Sequence, residues 1–217
     1  MDFKNFSHPE IKRLLYCTEW SNIANMKSKS FDPNNAMDAS LQVFWQGGFG
    51  GTPMPDLLKG MELGRASFYN AFKSKRLVFL AALDLYISKV DVGFADLARD
   101  VATRREAVEA ILGAIFQLAR SGNVWRGCFL GNTALELGHK DKEISIRLKR
   151  GIELLQKRIA AALSKPASDG SHLSSAQREQ YAIFLVAGIQ GLLVLAKGGL
   201  PQKAIDDIAS TLIEAIP

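Results

Sequence analysis

Residues 52–75, TPMPDLLKGMELGRASFYNAFKSK, decide the fold because they contain two short helical segments separated by a tight turn. Threonine is a good helix N-cap and proline suits the first helical position, so Thr52 is predicted to cap a helix that runs to about Met61. A second helix is predicted to begin at Gly64 or Arg65 and to end near Phe72. Helices this short are not stable alone, and therefore need neighbours to pack against.

The residues before this stretch predict one such neighbour. Asp32 or Asn34 can cap a helix, with proline between them in its first turn. Apolar residues then recur at the spacing of one helix face, namely Met37, Leu41 and Phe44. The helix is expected to stop at Gly47-Gly48, as helix C-termini often do, and Phe49 to anchor the connection in the core.

The residues after the stretch predict the other neighbour. Ser74, in the turn after the second short helix, is expected to cap a long helix that starts at Lys75. A shared core is predicted from Phe44, Leu57, Phe68, Phe72 and Leu77. Two short helices joined by a tight turn and held by a flanking helix on either side form a helix-turn-helix module.

The rest of the chain also reads as helix. The predicted N-terminal residues are Thr103, Asp141, Ser174 or Ser175, and Pro201. Helices are expected from 103 to about 121, over 124–137, from 141 onward with Ile144, Leu148, Ile152, Leu155 and Ile159 on one face, over 174–198 and over 201–216. Residues 164–173 form the one clear internal loop, and no strand pattern of useful length is present. The sequence thus predicts an all-α fold of about nine helices.

Three segments follow from this pattern. Residues 1–30 are polar and irregular and are expected to form a poorly ordered arm, residues 31–90 a helix-turn-helix domain, and residues 91–217 a second helical domain. No signal-peptide pattern is present in the first 30 residues. The apolar run 182–196 has 15 residues, fewer than the roughly 20 that span a bilayer, and is predicted to be a buried helix. We therefore expect no membrane partner.

The charge is concentrated in one place. The formal net charge of +5 is mild for 217 residues, but no acidic residue lies between Glu62 and Asp84. Four cations fall in that window, Arg65, Lys73, Lys75 and Arg76. Such a surface attracts phosphates, although an ordinary solvated face has the same composition.

Metal and cofactor chemistry is not predicted. The two cysteines, Cys17 and Cys128, and the three histidines are scattered, so we expect neither a zinc site nor a disulfide framework, and a reducing cytoplasm is the default location. Cys128 follows Arg126 closely. It is compatible with a redox-sensing thiolate and with an inert buried thiol.

The segment from Phe31 to Ser88 resembles the DNA-binding domain of the TetR (tetracycline-repressor-type) family of transcriptional regulators, and the residues that carry the resemblance are FDPNNAMDASLQVFWQGGFGGTPMPDLLKGMELGRASFYNAFKSKRLVF. The matching features are the aromatic and glycine run from Phe44 to Phe49, the threonine at Thr52, and the Tyr-x-x-Phe-x-x-Lys ending at Lys75. The family usually has glycine in the turn where this chain has Glu62, which must either take a left-handed backbone or alter the turn. Pro55 is a second, sterically tolerable difference.

The resemblance implies a dimer that binds a near-palindromic operator in double-stranded DNA, with a small-molecule effector bound by the second domain. Tyr69 and Lys75 match family positions that contact backbone phosphates. A half-buried tyrosine and a solvated lysine are the alternative interpretation of those two residues.

The side chains of the second short helix suit a DNA groove. Candidates for base-facing positions are Arg65, Ala66, Ser67 and Asn70, with Arg65 suited to guanine and Asn70 to adenine. Thr52 can offer its hydroxyl or the amides of its helix to a phosphate. Phe68 and Phe72, spaced by four, are expected in the core.

Other surfaces are predicted in the second domain. Residues 174–198 and 201–216 are the expected homodimer interface, with Gly188 and Gly191 permitting close approach, although the first of these helices is also compatible with the centre of one subunit. Candidate effector-lining residues, of types that more often form plain core, are Phe94, Phe116, Trp125, Phe129, Asn132 and Tyr181.

Two rival functions remain open at this point. A helical enzyme is one, but no nucleophile-base pairing, paired carboxylates or phosphate-binding loop is present, so we do not expect enzymatic activity. The other is a ligand-binding dimer without sequence-specific DNA binding, which the negative charge of Glu62 favours.

Overall fold

A computed structural model describes residues 31–99 and 101–217. Within those residues the chain forms nine helices and one two-stranded hairpin, so the predicted all-α class is confirmed. The helices are α1 (Pro33–Gly47), α2 (Met54–Gly60), α3 (Arg65–Phe72), α4 (Lys75–Leu97), α5 (Arg104–Leu118), α6 (Phe129–Leu137), α7 (Lys142–Ala162), α8 (Ser175–Lys197) and α9 (Gln202–Glu214), and the hairpin strands are β1 (Arg120–Ser121) and β2 (Val124–Trp125). The predicted N-terminal arm and Cys17 lie outside the described residues.

The chain divides into two compact units, one ending at Lys89 and the other running from Val90 to Pro217. Helix α4 contributes residues to both units. The sequence placed the division between residues 90 and 91, and the roles assigned to the two segments stay predictions.

Aromatic side chains build the core of the first unit. The rings of Phe44 and Phe79 meet edge to face with centroids 5.0 Å apart, and the ring of Phe49 lies 5.0 Å from that of Phe79. Phe68 and Phe72 of α3 are buried, with ring centroids 5.7 Å apart. Ring contacts thus join α1 and the connection after it to α4, and α3 adds two further buried rings to the core of this unit.

One residue of the predicted core is not buried. Leu77 is 47% exposed, and its neighbours Val78 and Phe79 are buried in its place. Because almost every position in the first turns of α4 is apolar, periodicity did not identify its inward face. The same error occurs at Ile152 on α7, which is 41% exposed although it was predicted inward.

Side-chain caps set most helix starts, as predicted. Asp32 caps α1 and Asp141 caps α7, and Ser74 Oγ accepts from the amide of Leu77 at the start of α4. Thr103 and Ser174 each form a reciprocal capping box, with Glu106 and Gln177 respectively. At the end of α1, Gly48 has φ 70°, a left-handed value that glycine adopts without cost.

Two local predictions were wrong. Residues 124–137 are not one helix, because Val124 and Trp125 pair with β1 and α6 begins only at Phe129. The strands have two residues each, too few to show an alternating pattern. Thr52 does not cap α2, since the N-cap residue is Pro53 and the Thr52 hydroxyl donates to the carbonyl of Gly48.

Helix α8 is the centre of the second unit. It packs against α7 and α9, and α7 packs in turn against α5 and α6. Leu185, Ile189 and Leu192 of α8 are buried. Among the described residues α8 is also the one helix long and apolar enough to cross a membrane, by length and composition alone. The 15-residue apolar run is therefore part of a 23-residue helix, and the sequence argument from its shortness does not hold.

Candidate nucleic-acid interface

Helix α3 has two chemically different sides. Phe68, Ala71 and Phe72 face the core, while Arg65, Ala66, Tyr69 and Asn70 are exposed and Ser67 is half-buried. This division follows from the spacing of the phenylalanines, which places one apolar row on one face of the helix. All base-facing candidates from the sequence are therefore brought together on the outward side of one eight-residue helix.

The polar groups on this side have few partners within the protein. Among residues 31–99 and 101–217, the guanidinium of Arg65 forms no ion pair, and the side-chain amide of Asn70 and the hydroxyl of Tyr69 form no hydrogen bond. The donors and acceptors that a duplex edge requires are thus unoccupied on the surface of α3.

The turn before α3 contains a left-handed residue that is not glycine. Glu62 has φ 55°, and its side chain is exposed. Of the two alternatives set by the sequence, the chain adopts the left-handed conformation, and the amide of Leu63 then donates to the carbonyl of Leu58 at 2.9 Å. The carboxylate lies three residues before Arg65, so it adds negative charge at the start of α3.

The end of α3 has a second non-glycine residue with a left-handed backbone. Lys73 has φ 65° and ψ −48°, and the amide of Ser74 donates to the carbonyl of Phe72 at 2.7 Å across it. The ammonium of Lys73 also donates to the carbonyl of Asn70, at 3.2 Å. Glu62 and Lys73 are the two non-glycine residues with positive φ in the described part of the chain. They bracket α3 at both ends.

Lys75 makes a contact within the protein in addition to the phosphate contact that the resemblance implies. Its ammonium donates to the backbone carbonyl of Phe49 and lies 4.4 Å from the centroid of the Phe49 ring. The sequence did not reveal this contact, because 26 residues separate the pair and no local pattern reports such a distance. Lys75 therefore ties the connection after α1 to the start of α4, and its contact with phosphate stays a prediction.

Thr52 is also engaged within the protein. Its side chain is buried, and its hydroxyl donates to Gly48 with an oxygen–oxygen distance of 2.7 Å. A hydroxyl has one proton, so donation to a phosphate would require this bond to break. In addition, Pro53 and Pro55 have no N–H, which reduces the amides that the start of α2 can offer.

The six effector-lining candidates have different local surroundings. Phe116 and Trp125 meet edge to face at 5.7 Å, with the Arg120 guanidinium 4.3 Å from the Trp125 ring. Asn132 donates to the carbonyl of Arg126, and Phe129 is buried. The position of Tyr181 is half-buried on α8.

Phe94 borders a surface cavity of about 240 Å³, which is lined by Phe94, Ala95, Ala98, Arg99, Arg158 and Ala161. At its rim Arg158 donates to Asp91, and this hydrogen bond raises the pKa of Arg158 above its ordinary value. The cavity is small for a ligand site, since such sites usually measure about 300–1,000 Å³.

The fold and the outward face of α3 define a helix-turn-helix protein with a separate helical domain. Two family models match the chain, "Bacterial regulatory proteins, tetR family" over residues 36–82 and "Tetracyclin repressor-like, C-terminal domain" over residues 105–211. The chain belongs to the TetR family of DNA-binding transcriptional regulators.

Individual relatives agree with this membership. The chain is 26% identical over 192 residues to the transcriptional repressor ComR of Escherichia coli (strain K12), covering 88% of this chain and 91% of that protein. It is 23% identical over 188 residues to the transcriptional repressor DhaR of Mycobacterium sp. (strain GP1), with 83% and 89% covered.

Solved structures share the fold. A cysteine mutant of the TetR family regulator CifR, complexed with 26-base-pair operator DNA, superposes with a TM-score of 0.76 and 24% identity, covering 88% of this chain and all of that one. The reduced form of NemR of Escherichia coli superposes with a TM-score of 0.73 and 20% identity, with 85% and 97% covered.

Proposed function

We propose that this protein is a cytoplasmic repressor that binds a near-palindromic operator as a homodimer and is released by a small-molecule effector. The observation that carries the proposal is the outward side of α3, on which Arg65 is exposed without an ion pair and the side-chain amide of Asn70 is exposed without a hydrogen bond among the described residues. Arginine reads guanine and asparagine reads adenine in the major groove. ComR and DhaR are named as repressors, which supports repression as the direction of regulation. The operator complex of CifR supports double-stranded operator DNA as the molecule that is bound.

The dimer is supported by one side of α8. Ile183, Phe184, Val194 and Leu195 are each more than 40% exposed, and they recur at the spacing of one helix face. The opposite side of the same helix is buried against α7 and α9. Both interpretations of residues 174–198 thus find support, because the helix is central to its own unit and also leaves an apolar stripe that a second copy would cover. Two-fold symmetry then pairs two α3 helices for two half-sites.

The effector is supported less directly. The second unit contains the aromatic pair Phe116 and Trp125 and the cavity beside Phe94, each of which offers apolar surface next to an arginine. A ligand that binds one state of the dimer more tightly shifts the population toward that state and so changes operator affinity. We take the chemical class of the effector to be open.

Selection of duplexes from a random library by the purified full-length protein tests the function. We expect enrichment of a near-palindromic sequence, and binding to that duplex that weakens steeply as salt increases, since phosphate contacts release counterions. Arg65→Ala and Asn70→Ala should each weaken binding by about five- to 150-fold, the usual cost of one bidentate base contact.

Arg105→Ala is the matched control, because Arg105 is an exposed arginine on α5 of the other unit. It should bind like the wild type. Enrichment of no sequence would instead favour the ligand-binding dimer without DNA recognition, and turnover of a substrate would favour the enzyme.

A further inference from the structure

The guanidinium of Arg65 lies over the ring of Tyr69, with its central carbon 5.8 Å from the ring centroid. The two residues are four apart on α3, so their side chains are neighbours on the same face of the helix. A cation within about 6 Å of an aromatic face is attracted by the negative charge of that face. Arg65 has no carboxylate partner among the described residues, so this ring is the contact that the structure gives to its charge.

The Tyr69 ring is itself held in place. It meets the ring of Phe68 edge to face, with centroids 5.4 Å apart, and Phe68 is fully buried in the core of the first unit. Tyr69 is 39% exposed, so one part of its ring is packed while the rest remains on the surface. A series of contacts therefore runs from the buried core through Tyr69 to the exposed guanidinium of Arg65.

These contacts matter because an arginine side chain is long and samples many rotamers when it is free. Ordering such a side chain on binding reduces affinity, and a group held in advance in its binding position avoids that loss. We propose that Tyr69 is a positioning residue that holds the Arg65 guanidinium at the groove face of α3 and so strengthens its discrimination of guanine. This inference rests on the proposed function, in which α3 reads DNA.

The proposal differs from a phosphate contact by Tyr69 in a measurable way. A phosphate contact is made through the hydroxyl and strengthens binding to every sequence alike, because phosphates carry no sequence information. Positioning of Arg65 is carried out by the ring and changes affinity only at the base pair that Arg65 reads. The two roles thus use different atoms of the Tyr69 side chain. The hydroxyl would affect affinity for every sequence, and the ring would affect discrimination at one base pair.

The test measures dissociation constants of full-length variants for the selected duplex and for its single-base-pair substitutions. The Arg65 base pair is identified as the position at which Arg65→Ala abolishes discrimination. We expect Tyr69→Leu to lower discrimination at that position by about two- to fivefold, the range of an exposed cation–π contact, and to leave discrimination at the other positions unchanged. Tyr69→Phe keeps the ring and should retain full discrimination there. Tyr69→Trp, with a stronger π face, should retain or increase it.

Two controls separate the positioning role of Tyr69 from loss of folding and from effects that do not act through Arg65. Thermal melting of each variant checks that the first unit stays folded, and the Phe and Trp variants carry the test if the Leu variant melts early. In the double variant Arg65→Ala/Tyr69→Leu, removal of the ring should cause no further loss at the Arg65 base pair.

Three outcomes would overturn the inference. Equal weakening by Tyr69→Leu at every base pair would show a general contact, and loss of discrimination in Tyr69→Phe would assign the effect to the hydroxyl. If Arg65→Ala alters discrimination at no position, then Arg65 reads no base and Tyr69 cannot position it for that purpose. Enrichment of no sequence by the wild type is a separate result, since it contradicts the proposed function and the inference together.

Discussion

The ammonium of Lys75 lies 2.5 Å from the carbonyl oxygen of Phe49 and over the face of the same residue's ring. One lysine thereby fixes both the backbone and the side chain of the connection between α1 and α2. The contact joins this connection to the start of α4, and it gives a structural reason for a lysine at a position to which the resemblance assigns a phosphate contact.

Replacement of Lys75 separates these two roles. We expect Lys75→Met to lower the free energy of unfolding by about 1–2 kcal/mol, because a charge-assisted hydrogen bond to a partly buried carbonyl is lost. Urea unfolding of the full-length protein measures the change. Lys73→Met is the control, since Lys73 is exposed and nearby, and a change within about 0.5 kcal/mol is expected there. Equal stability of Lys75→Met and wild type would refute the structural role.

Glu62 holds a left-handed backbone that costs a non-glycine residue about 1 kcal/mol. Glu62→Gly should therefore raise the free energy of unfolding by about that amount, whereas Glu62→Gln should leave it unchanged. Both variants remove a negative charge at the start of α3, so both should bind the selected duplex more tightly at low salt. Unchanged affinity of the Gln variant would show that the Glu62 charge does not act on DNA.

Gly188 and Gly191 provide a matched pair on α8. A Cβ at Gly188 would lie 2.4 Å from Cδ2 of Leu212 on α9, whereas a Cβ at Gly191 would meet no atom within 4 Å. Gly191→Ala should stabilise the protein by up to about 1 kcal/mol through helix propensity. In Gly188→Ala the clash with Leu212 should cancel or reverse that gain. Thermal melts of the two variants side by side measure the difference, and equal gains would contradict this packing of α8 on α9.

The open space at Gly191 also tests the proposed dimer. Gly191 lies between the exposed residues Phe184 and Val194, on the stripe that a second copy would cover. Gly191→Arg should fold, because a Cβ at this position meets no atom within 4 Å. The variant should place a charge in the interface and lower the dimer association constant at least tenfold, since an uncompensated buried charge typically costs more than about 1.4 kcal/mol. Sedimentation at several protein concentrations measures the dimer fraction, with Gly191→Ala as the control. A dimer that persists unchanged in the Arg variant would place the interface elsewhere.

Glu106 predicts a pH dependence of stability. Its carboxylate accepts from the backbone amides of Thr103 and Ala102, and these hydrogen bonds lower the pKa of Glu106 below its ordinary value of 4.5. Because the folded-state pKa is the lower one, the stabilisation is fully present above pH 4.5 and is lost as the pH falls through the folded-state pKa.

Melting temperatures from pH 7 to pH 3 check this expectation. Glu106→Gln should show a smaller loss of melting temperature than the wild type over the acidic range. Glu109→Gln on the same helix, where the carboxylate pairs with Arg105 and caps no amide, is the control. Parallel curves for wild type and Glu106→Gln would contradict the assigned role of the capping box.

The helix starts were predictable from the sequence because their determinants are local. The side chains of Asp32, Thr103, Asp141 and Ser174 each accept from amides two or three residues away. A cap at that range can be recognised in the sequence as a capping residue type followed by apolar residues at helical spacing. The inward face of α3 was predictable for the same reason, since Phe68 and Phe72 are its large apolar residues.

The remaining features depend on contacts between residues far apart in sequence, or on elements too short to show a sequence pattern. Leu77 was misplaced because the start of α4 is apolar on several sides, and the hairpin was missed because its two-residue strands have no period. The contacts of Lys75 with Phe49 and of Gly188 with Leu212 join residues far apart in sequence, and no pattern in either segment reports them.

The separation of α3 into an inward apolar row and an outward polar row has an evolutionary consequence. Phe68, Ala71 and Phe72 are buried and carry the packing, whereas Arg65, Ala66 and Asn70 are exposed. Mutations on the outward row can therefore change which DNA sequence the protein recognises, with little loss of folding stability. After gene duplication, two copies of this scaffold would be free to acquire separate targets while sharing one unchanged architecture.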